Sequence, residues 1–324
     1  MPDKNYTQIP SLDLSHFSSV DQSLKREFVN NLGEAFNNLG FVAIKNHGLT
    51  DDLTKNLYKS VEAFFALGDE VKQKYEIPSL FGQRGYVGKN KETGKGHSVP
   101  DLKEFYHIGQ EVPEEVRRKM NYPENIFPKE VPEMMEYGIM AYRLLENAGK
   151  QILRAIAIYL NLNENYFDEK VTYGDSILRS IHYFPINDPD KISPEAVRAA
   201  AHGDINLITL LMGASAEGLQ ILKRDGTWIS VTALPEQIVV NVGDMLDRLT
   251  NNKLKSTIHR VVNPPQELMH TSRFSIPFFM HSRADTNLTC LSSCIDDEHP
   301  KLYSDMTAGA FLEERLIELG LKKK

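Results

Sequence analysis

A histidine and an aspartate stand two positions apart, directly before a run of strand-forming residues, in AHGDINLITLL, residues 201–211. On a strand, positions i and i+2 point the same way, so His202 and Asp204 are expected to share one face, with Gly203 on the other. A polar turn before a core strand is the ordinary role of such a pair. A third donor would make it a metal site, and His259 in KSTIHRVV supplies one from a segment that reads as a central strand. Two imidazoles and a carboxylate on one side of a metal form the facial arrangement that suits non-haem Fe(II), leaving positions open for O2 and an organic ligand. Zinc fits the same atoms but brings no redox chemistry. His270 and His281 also lie in strand-like segments downstream.

In SRFSIPFF, Arg273 and Ser275 are again two apart. On a strand they share a face. A buried guanidinium needs an anionic partner, and its planar fork beside a hydroxyl matches a carboxylate. A surface salt bridge accounts for the same residues, and spacing alone does not choose between the two.

The elements that must position these groups divide into two kinds. The first half reads as largely helical. SLKREFVNNLGEAFNNLGF carries Leu24, Phe28, Leu32, Ala35, Phe36 and Leu39 at helical spacing, with Asp21 as N-cap and Gly40 as stop. GFVAIKNHG then reads as a short strand entering a turn, which makes His47 a turn residue. Further helices are expected over 51–67 and from about Glu133 to Leu160. From about Ser176 the period shortens: ILRSIHYFP, AHGDINLITLLMG, GLQILKRDGTWISVTA, QIVVNVGDMLDRLT, KSTIHRVVNP and RFSIPFFMH are short runs punctuated by turn residues. Asp225-Gly226 is a hairpin signal. Such spacing indicates a sandwich or barrel. TAGAFLEERLIELG closes as an amphipathic helix, before a tail, Lys322–Lys324, expected to fray.

Composition excludes several classes. With 324 residues, 41% hydrophobic and 25% charged, the chain can bury a sizeable core. A net charge of −7 argues against nucleic acid as a partner. No apolar run approaches the ~18 residues of a membrane span, and the N-terminus has no secretory or transit pattern, so the expected location is cytoplasmic. Cys290 and Cys294 are expected to be ordinary reduced thiols rather than a zinc or redox pair.

The combination of His202-x-Asp204, His259 and Arg273-x-Ser275 resembles the isopenicillin N synthase-like branch of the Fe(II)/2-oxoglutarate-dependent oxygenases. GLQILKRDGTWISV, VVNVGDML and STIHRVVNP are similar to that family's core blocks, and LGFVAIKNHGL, FFALGDEVKQKY, GQRGYV and DLKEFYHIG to its upstream segments. The resemblance implies an α+β fold with a double-stranded β-helix (jelly-roll) core. It implies an N-terminal helical and strand region over 1–120, a long helix and connection over 121–175, the catalytic core over 176–285 and a C-terminal strand and helix segment over 286–324. His202, Asp204 and His259 would bind Fe(II). Arg273 and Ser275 would hold the distal carboxylate of 2-oxoglutarate, Tyr183 would also contact this co-substrate, and His182 would neighbour it. O2 would be the oxidant, with ascorbate as a candidate reductant.

The implied reaction oxidises a small-molecule substrate, typically by hydroxylation, and releases succinate and CO2. Asp204 stands where halogenating relatives leave room for halide, which points away from halogenation. Two rivals remain open at this level: an oxidase of the isopenicillin N synthase or ethylene-forming type that needs no 2-oxoglutarate, and a non-catalytic metal-binding jelly roll. The identity of the substrate and the oligomeric state are not legible. GQRGYVGKNKETGKG, residues 82–96, offers Arg84, Lys89, Lys91 and Lys95 against Glu92. It is either a solvated loop or a lid whose basic residues would meet an anionic substrate.

Overall fold

Asp21 accepts a hydrogen bond from the Ser23 backbone N–H at 2.8 Å and so caps the first helix. The helix ends at Gly40, whose φ of +74° and close approach to the Lys255 carbonyl admit no side chain. The computed structural model describes residues 7–89, 91–92, 101–186, 197–213, 218–232, 234, 236–318 and 321. The Lys322–Lys324 tail and residues 90 and 93–96 of the 82–96 segment therefore lie outside the described residues.

In chain order the elements are β1 (Ser11–Asp13), α1 (Gln22–Asn38), β2 (Phe41–Lys45), α2 (Asp51–Phe65), α3 (Asp69–Lys72), β3 (Gly85–Val87), β4 (Lys103–Gly109), α4 (Glu114–Met120) and α5 (Glu133–Tyr159). There follow α6 (Asp168–Val171), β5 (Ile177–Tyr183), β6 (Ala199–His202), β7 (Ile208–Met212), β8 (Leu219–Leu222), β9 (Trp228–Ser230) and β10 (Ile238–Val242). The last are α7 (Asp244–Leu249), β11 (His259–Val261), β12 (Arg273–Ser275), β13 (Pro277–Met280) and α8 (Ala308–Glu318).

The strands form two sheets. The larger runs β1-β2-β10-β7-β13-β5-β4-β3, with β12 also paired to β5, and the smaller runs β6-β11-β8-β9. This is the jelly-roll core in an α+β chain, as the family resemblance implied. Phe41, Phe105, Ile181, Tyr183 and Val239 from the larger sheet pack with Ala199, Leu219, Ile221 and Val261 from the smaller, filling the space between the sheets. On the outer face of the larger sheet, α1, α2 and α5 bury Phe36, Phe64, Leu145 and Ile152 against Leu210, Val240 and Phe278. Strands from the N-terminal third are integral to the larger sheet: β2 pairs antiparallel with β10, and β4 with β5. The segments 1–120 and 176–285 thus share one sheet. Among the described residues, no helix is long and apolar enough to cross a membrane.

Some boundaries differ from the sequence reading. AHGDINLITLLMG is two strands, β6 in the smaller sheet and β7 in the larger, because the chain crosses between sheets at Gly203–Leu207. Fully buried Asn206 holds that corner, donating to the Ile208 carbonyl and to Thr209 Oγ1, each at 3.0 Å. QIVVNVGDMLDRLT leaves the strand at Gly243 and continues as α7. DLKEFYHIG contains a full strand, β4, the longest partner of β5.

Candidate metal centre

His202 closes β6 and His259 opens β11, and the two face each other in register across the smaller sheet. Their rings lie 4.5 Å apart between centroids. Asp204 is not on the strand with His202; it sits in the corner that follows, and the corner rather than strand alternation brings its carboxylate to the histidines. Its Oδ1 lies 3.8 Å from His202 Nε2 and 3.7 Å from His259 Nε2. These separations are too long for hydrogen bonds. They suit atoms sharing one cation, since two ligands each about 2.1 Å from a centre lie within about 4.2 Å of each other. Among the described residues, these three form the cluster able to hold a metal.

The atoms behind the ligands orient them. His202 Nδ1 lies 2.7 Å from the Ala200 carbonyl and His259 Nδ1 3.2 Å from the Thr257 carbonyl. Each Nδ1–H therefore donates to backbone, and each Nε2 keeps its lone pair for the centre. Asp204 Oδ2 accepts hydrogen bonds from Thr209 Oγ1 at 2.6 Å and Asn241 Nδ2 at 2.8 Å, which leaves Oδ1 facing the imidazoles. Burial, reinforced by the neighbouring His259, pulls the His202 imidazole down to about 4. Burial alone would raise the Asp204 carboxyl, but the two imidazoles and the Asn241 and Thr209 hydrogen bonds outweigh it and hold it below the ordinary value. Two imidazole nitrogens and one carboxylate oxygen make a donor set that fits a divalent cation. Asn241→Leu removes one of the bonds that aim Asp204, and Fe(II) affinity is expected to fall roughly 10- to 100-fold in an anaerobic titration, with the fold retained.

Arg273 and Tyr183 are directly opposed on β12 and β5, and Ser275 opposes Ile181. The Arg273 guanidinium lies 4.9 Å from the Tyr183 ring centroid. All three side chains are buried. Tyr183, Ser275 and the metal-competent triad line one cavity of about 440 Å³. His182 points to the other side of the sheet: it bonds Glu104 and Ser272 and stacks on Phe274 at 4.9 Å. His270 is exposed. His281 is buried and lines the cavity wall. His47 sits beyond β2 and contacts the Glu236 carbonyl, in keeping with a turn role. Cys290 and Cys294 are buried free thiols.

Lys95 lies outside the described residues, and Arg84, Lys89 and Lys91 do not line this cavity. Arg84 is 2% exposed and packs on the Tyr122 ring and over Gly109. Lys89 pairs with Asp69 and Lys91 with Glu76. What the cavity does contain from this region is Gln83, Glu92, Asp101, Lys103 and His107, together with Arg179 from β5. These residues were not singled out from sequence. The alternation of Lys103, Phe105 and His107 along one strand was the available signal.

Two family profiles match the chain. The N-terminal profile of the non-haem dioxygenase in morphine synthesis covers residues 9–130, and that of the 2OG-Fe(II) oxygenase superfamily covers 174–282. The 2-oxoglutarate-Fe(II) type oxidoreductase hxnY of Emericella nidulans is 30% identical over 94% of this chain and 90% of its own length. Among solved structures, a 2OG-Fe(II) oxygenase family protein from Caulobacter crescentus superposes with a TM-score of 0.84 at 40% identity, covering 96% of this chain and 98% of that one. Neurospora crassa T7H in complex with alpha-KG and thymine superposes at 0.83 with 30% identity, covering 95% and 96%.

Proposed function

Since the chain belongs to the 2OG-Fe(II) oxygenase superfamily and is an Fe(II)- and 2-oxoglutarate-dependent oxidoreductase, we propose that His202, Asp204 and His259 hold its iron and that Arg273, Ser275 and Tyr183 seat the co-substrate's distal carboxylate. The observation that carries the metal assignment is the convergence of two Nε2 atoms and one Oδ1 on a single point, each oriented by a hydrogen bond from behind. Bound there, iron, O2 and 2-oxoglutarate supply the oxidising power: O2 is consumed, the co-substrate becomes succinate and CO2, and a substrate C–H bond is oxidised.

The chain's own residues do the positioning. Asp204 and the two imidazoles occupy one side of the centre and leave the cavity side open. Arg273 offers a planar fork for a carboxylate in a buried setting, and Ser275 adds a hydroxyl on the same face. The walls of Phe41, Ile181, Leu211 and Phe279 keep water away from the reacting atoms. The substrate is a small molecule, a reading supported by the cavity's size and by thymine in the T7H complex. Hydroxylation is the reaction we assign. Of the basic side chains that suggested an anionic substrate, Arg84 is buried and Lys89 and Lys91 are paired with Asp69 and Glu76, none of them lining the cavity, so these three do not support that refinement.

The test follows succinate formed from 2-oxoglutarate by the Fe(II)-loaded protein against a metabolite panel. Turnover is expected to require Fe(II), to stop on chelation and to be stimulated by the true substrate. Oxygen consumption without succinate would refute the co-substrate assignment.

A further inference from the structure

β12 is three residues long, and among the described residues its one sheet partner is β5. It follows three exposed residues, 270–272. Yet it carries Arg273 and Ser275, and a guanidinium fork seats a carboxylate only when it points the right way. A three-residue ladder holds a strand weakly, so the direction of that fork depends on what grips β12 from its other face.

The grip comes from a buried polar chain on the side away from the cavity. Glu104, His182 and Phe274 are directly opposed across β4, β5 and β12. They stand one step along from Lys103, Tyr183 and Arg273, which take the opposite face. Glu104 is 1% exposed. Its carboxylate accepts from Lys72 Nζ of α3, at 2.9 and 3.0 Å, and from the Tyr86 hydroxyl of β3. It also meets His182 Nδ1 at 2.8 Å. Burial alone would raise the Glu104 carboxyl, but the bonds from His182, Tyr86 and Lys72 outweigh it and hold it below the ordinary value. An ionised carboxylate only accepts, so His182 Nδ1 carries a proton and donates.

The other end of the same ring reaches β12. His182 Nε2 lies 2.9 Å from Ser272 Oγ, on the residue before Arg273. The ring stacks on Phe274, the residue after Arg273, with centroids 4.9 Å and planes 13° apart. Phe65 of α2 packs on both rings, at 5.4 and 6.3 Å. His182 thus holds β12 immediately before and immediately after Arg273, while Glu104 fixes His182, and Lys72 and Tyr86 fix Glu104.

We propose that His182, anchored by Glu104, is a positioning residue for co-substrate binding: through Ser272 and Phe274 it sets the direction of the Arg273 fork from the opposite face of the sheet. This rests on the assignment of Arg273 to 2-oxoglutarate.

Glu104→Gln would leave Lys72 buried beside a neutral group and endanger the fold, so the test uses His182→Phe and Ser272→Ala. The first keeps a ring against Phe274 and removes both hydrogen bonds; the second removes one hydroxyl at an exposed position. Full-length proteins are loaded anaerobically with Fe(II) and titrated with 2-oxoglutarate, following the visible absorption of the complex. His182→Phe is expected to weaken 2-oxoglutarate roughly tenfold, and Ser272→Ala by a smaller factor. Ser272→Thr, which restores the hydroxyl, should bind as wild type. Fe(II) affinity without co-substrate should be unchanged. Uncoupled succinate formation at saturating 2-oxoglutarate should be unchanged too, the pattern of a binding defect without a chemical one. In an Arg273→Leu background His182→Phe should add no further loss, because the fork it acts through is already gone. The inference is overturned if either variant binds 2-oxoglutarate as wild type does or if Fe(II) affinity falls as well. It is also overturned if the losses from His182→Phe and Arg273→Leu simply add. If Arg273→Leu itself binds 2-oxoglutarate as wild type, the co-substrate assignment fails first, which separates the two failures.

Discussion

Asp204→Ala is expected to abolish the visible absorption that forms when Fe(II) and 2-oxoglutarate are added without oxygen, and with it all turnover. Asp204 is the sole anionic group in the triad, and its Oδ1 lies within 3.8 Å of both Nε2 atoms. Without it two imidazoles remain, too few donors and no anion to hold a divalent cation. His202→Ala and His259→Ala should give the same result, each removing one of the opposed donors on β6 and β11. The Asp204 variant also takes from Thr209 and Asn241 their shortest hydrogen-bond acceptor, which should cost about 1–3 kcal/mol of stability. Thermal melting of the metal-free proteins separates that loss from the loss of metal. An unchanged absorption in any one variant would remove that residue from the site.

The second large effect is at Arg273. Arg273→Leu should raise the 2-oxoglutarate concentration needed for half-saturation by a factor on the order of thirty to several thousand, because leaving a buried carboxylate unpaired costs roughly 2–5 kcal/mol. Iron binding, measured without co-substrate, should be unaffected, since Arg273 lies on β12 and the triad on β6, β11 and the corner after β6. Arg273→Lys should recover only part of the loss, an ammonium being unable to reproduce the fork. Unaltered 2-oxoglutarate dependence in the Leu variant would return Arg273 to the salt-bridge reading.

Legibility in the sequence followed the range of the interaction. The caps and periodicity of α1, α2 and α5 are local, and Asp21, Gly40 and the apolar stripes located those helices to within a residue or two. His202, Asp204 and His259 were found because metal chemistry restricts residue type, although the geometry invoked was wrong in one respect. Strand alternation does not align His202 with Asp204; a sheet-to-sheet crossing held by Asn206 does, and nothing within a few residues signals that the partner strands belong to different sheets. Arg179 and its neighbours in the cavity wall were missed for a related reason. Glu92, Lys103, His107 and Arg179 come from separate segments, and each looks like an ordinary charged or polar residue until β4 is laid against β5. Arg84 misled in the opposite direction, because a basic residue in a Gly-rich stretch reads as solvent-facing when no partner surface is known.

The insertion of β2 against β10 and of β4 against β5 has a consequence for how the chain reaches this structure. Val42 lies opposite Val240, and Phe105 opposite Ile181, so a strand made early on the ribosome waits for a partner made much later. During that interval α1 and α2 can form as local helices but have no sheet on which to bury their apolar faces. Contacts this distant in sequence slow the search for the native state, and unpaired strand edges in the meantime invite association with other chains. Refolding from denaturant should therefore be slow and sensitive to protein concentration. A fragment ending before β10 should depend on chaperones to stay in solution.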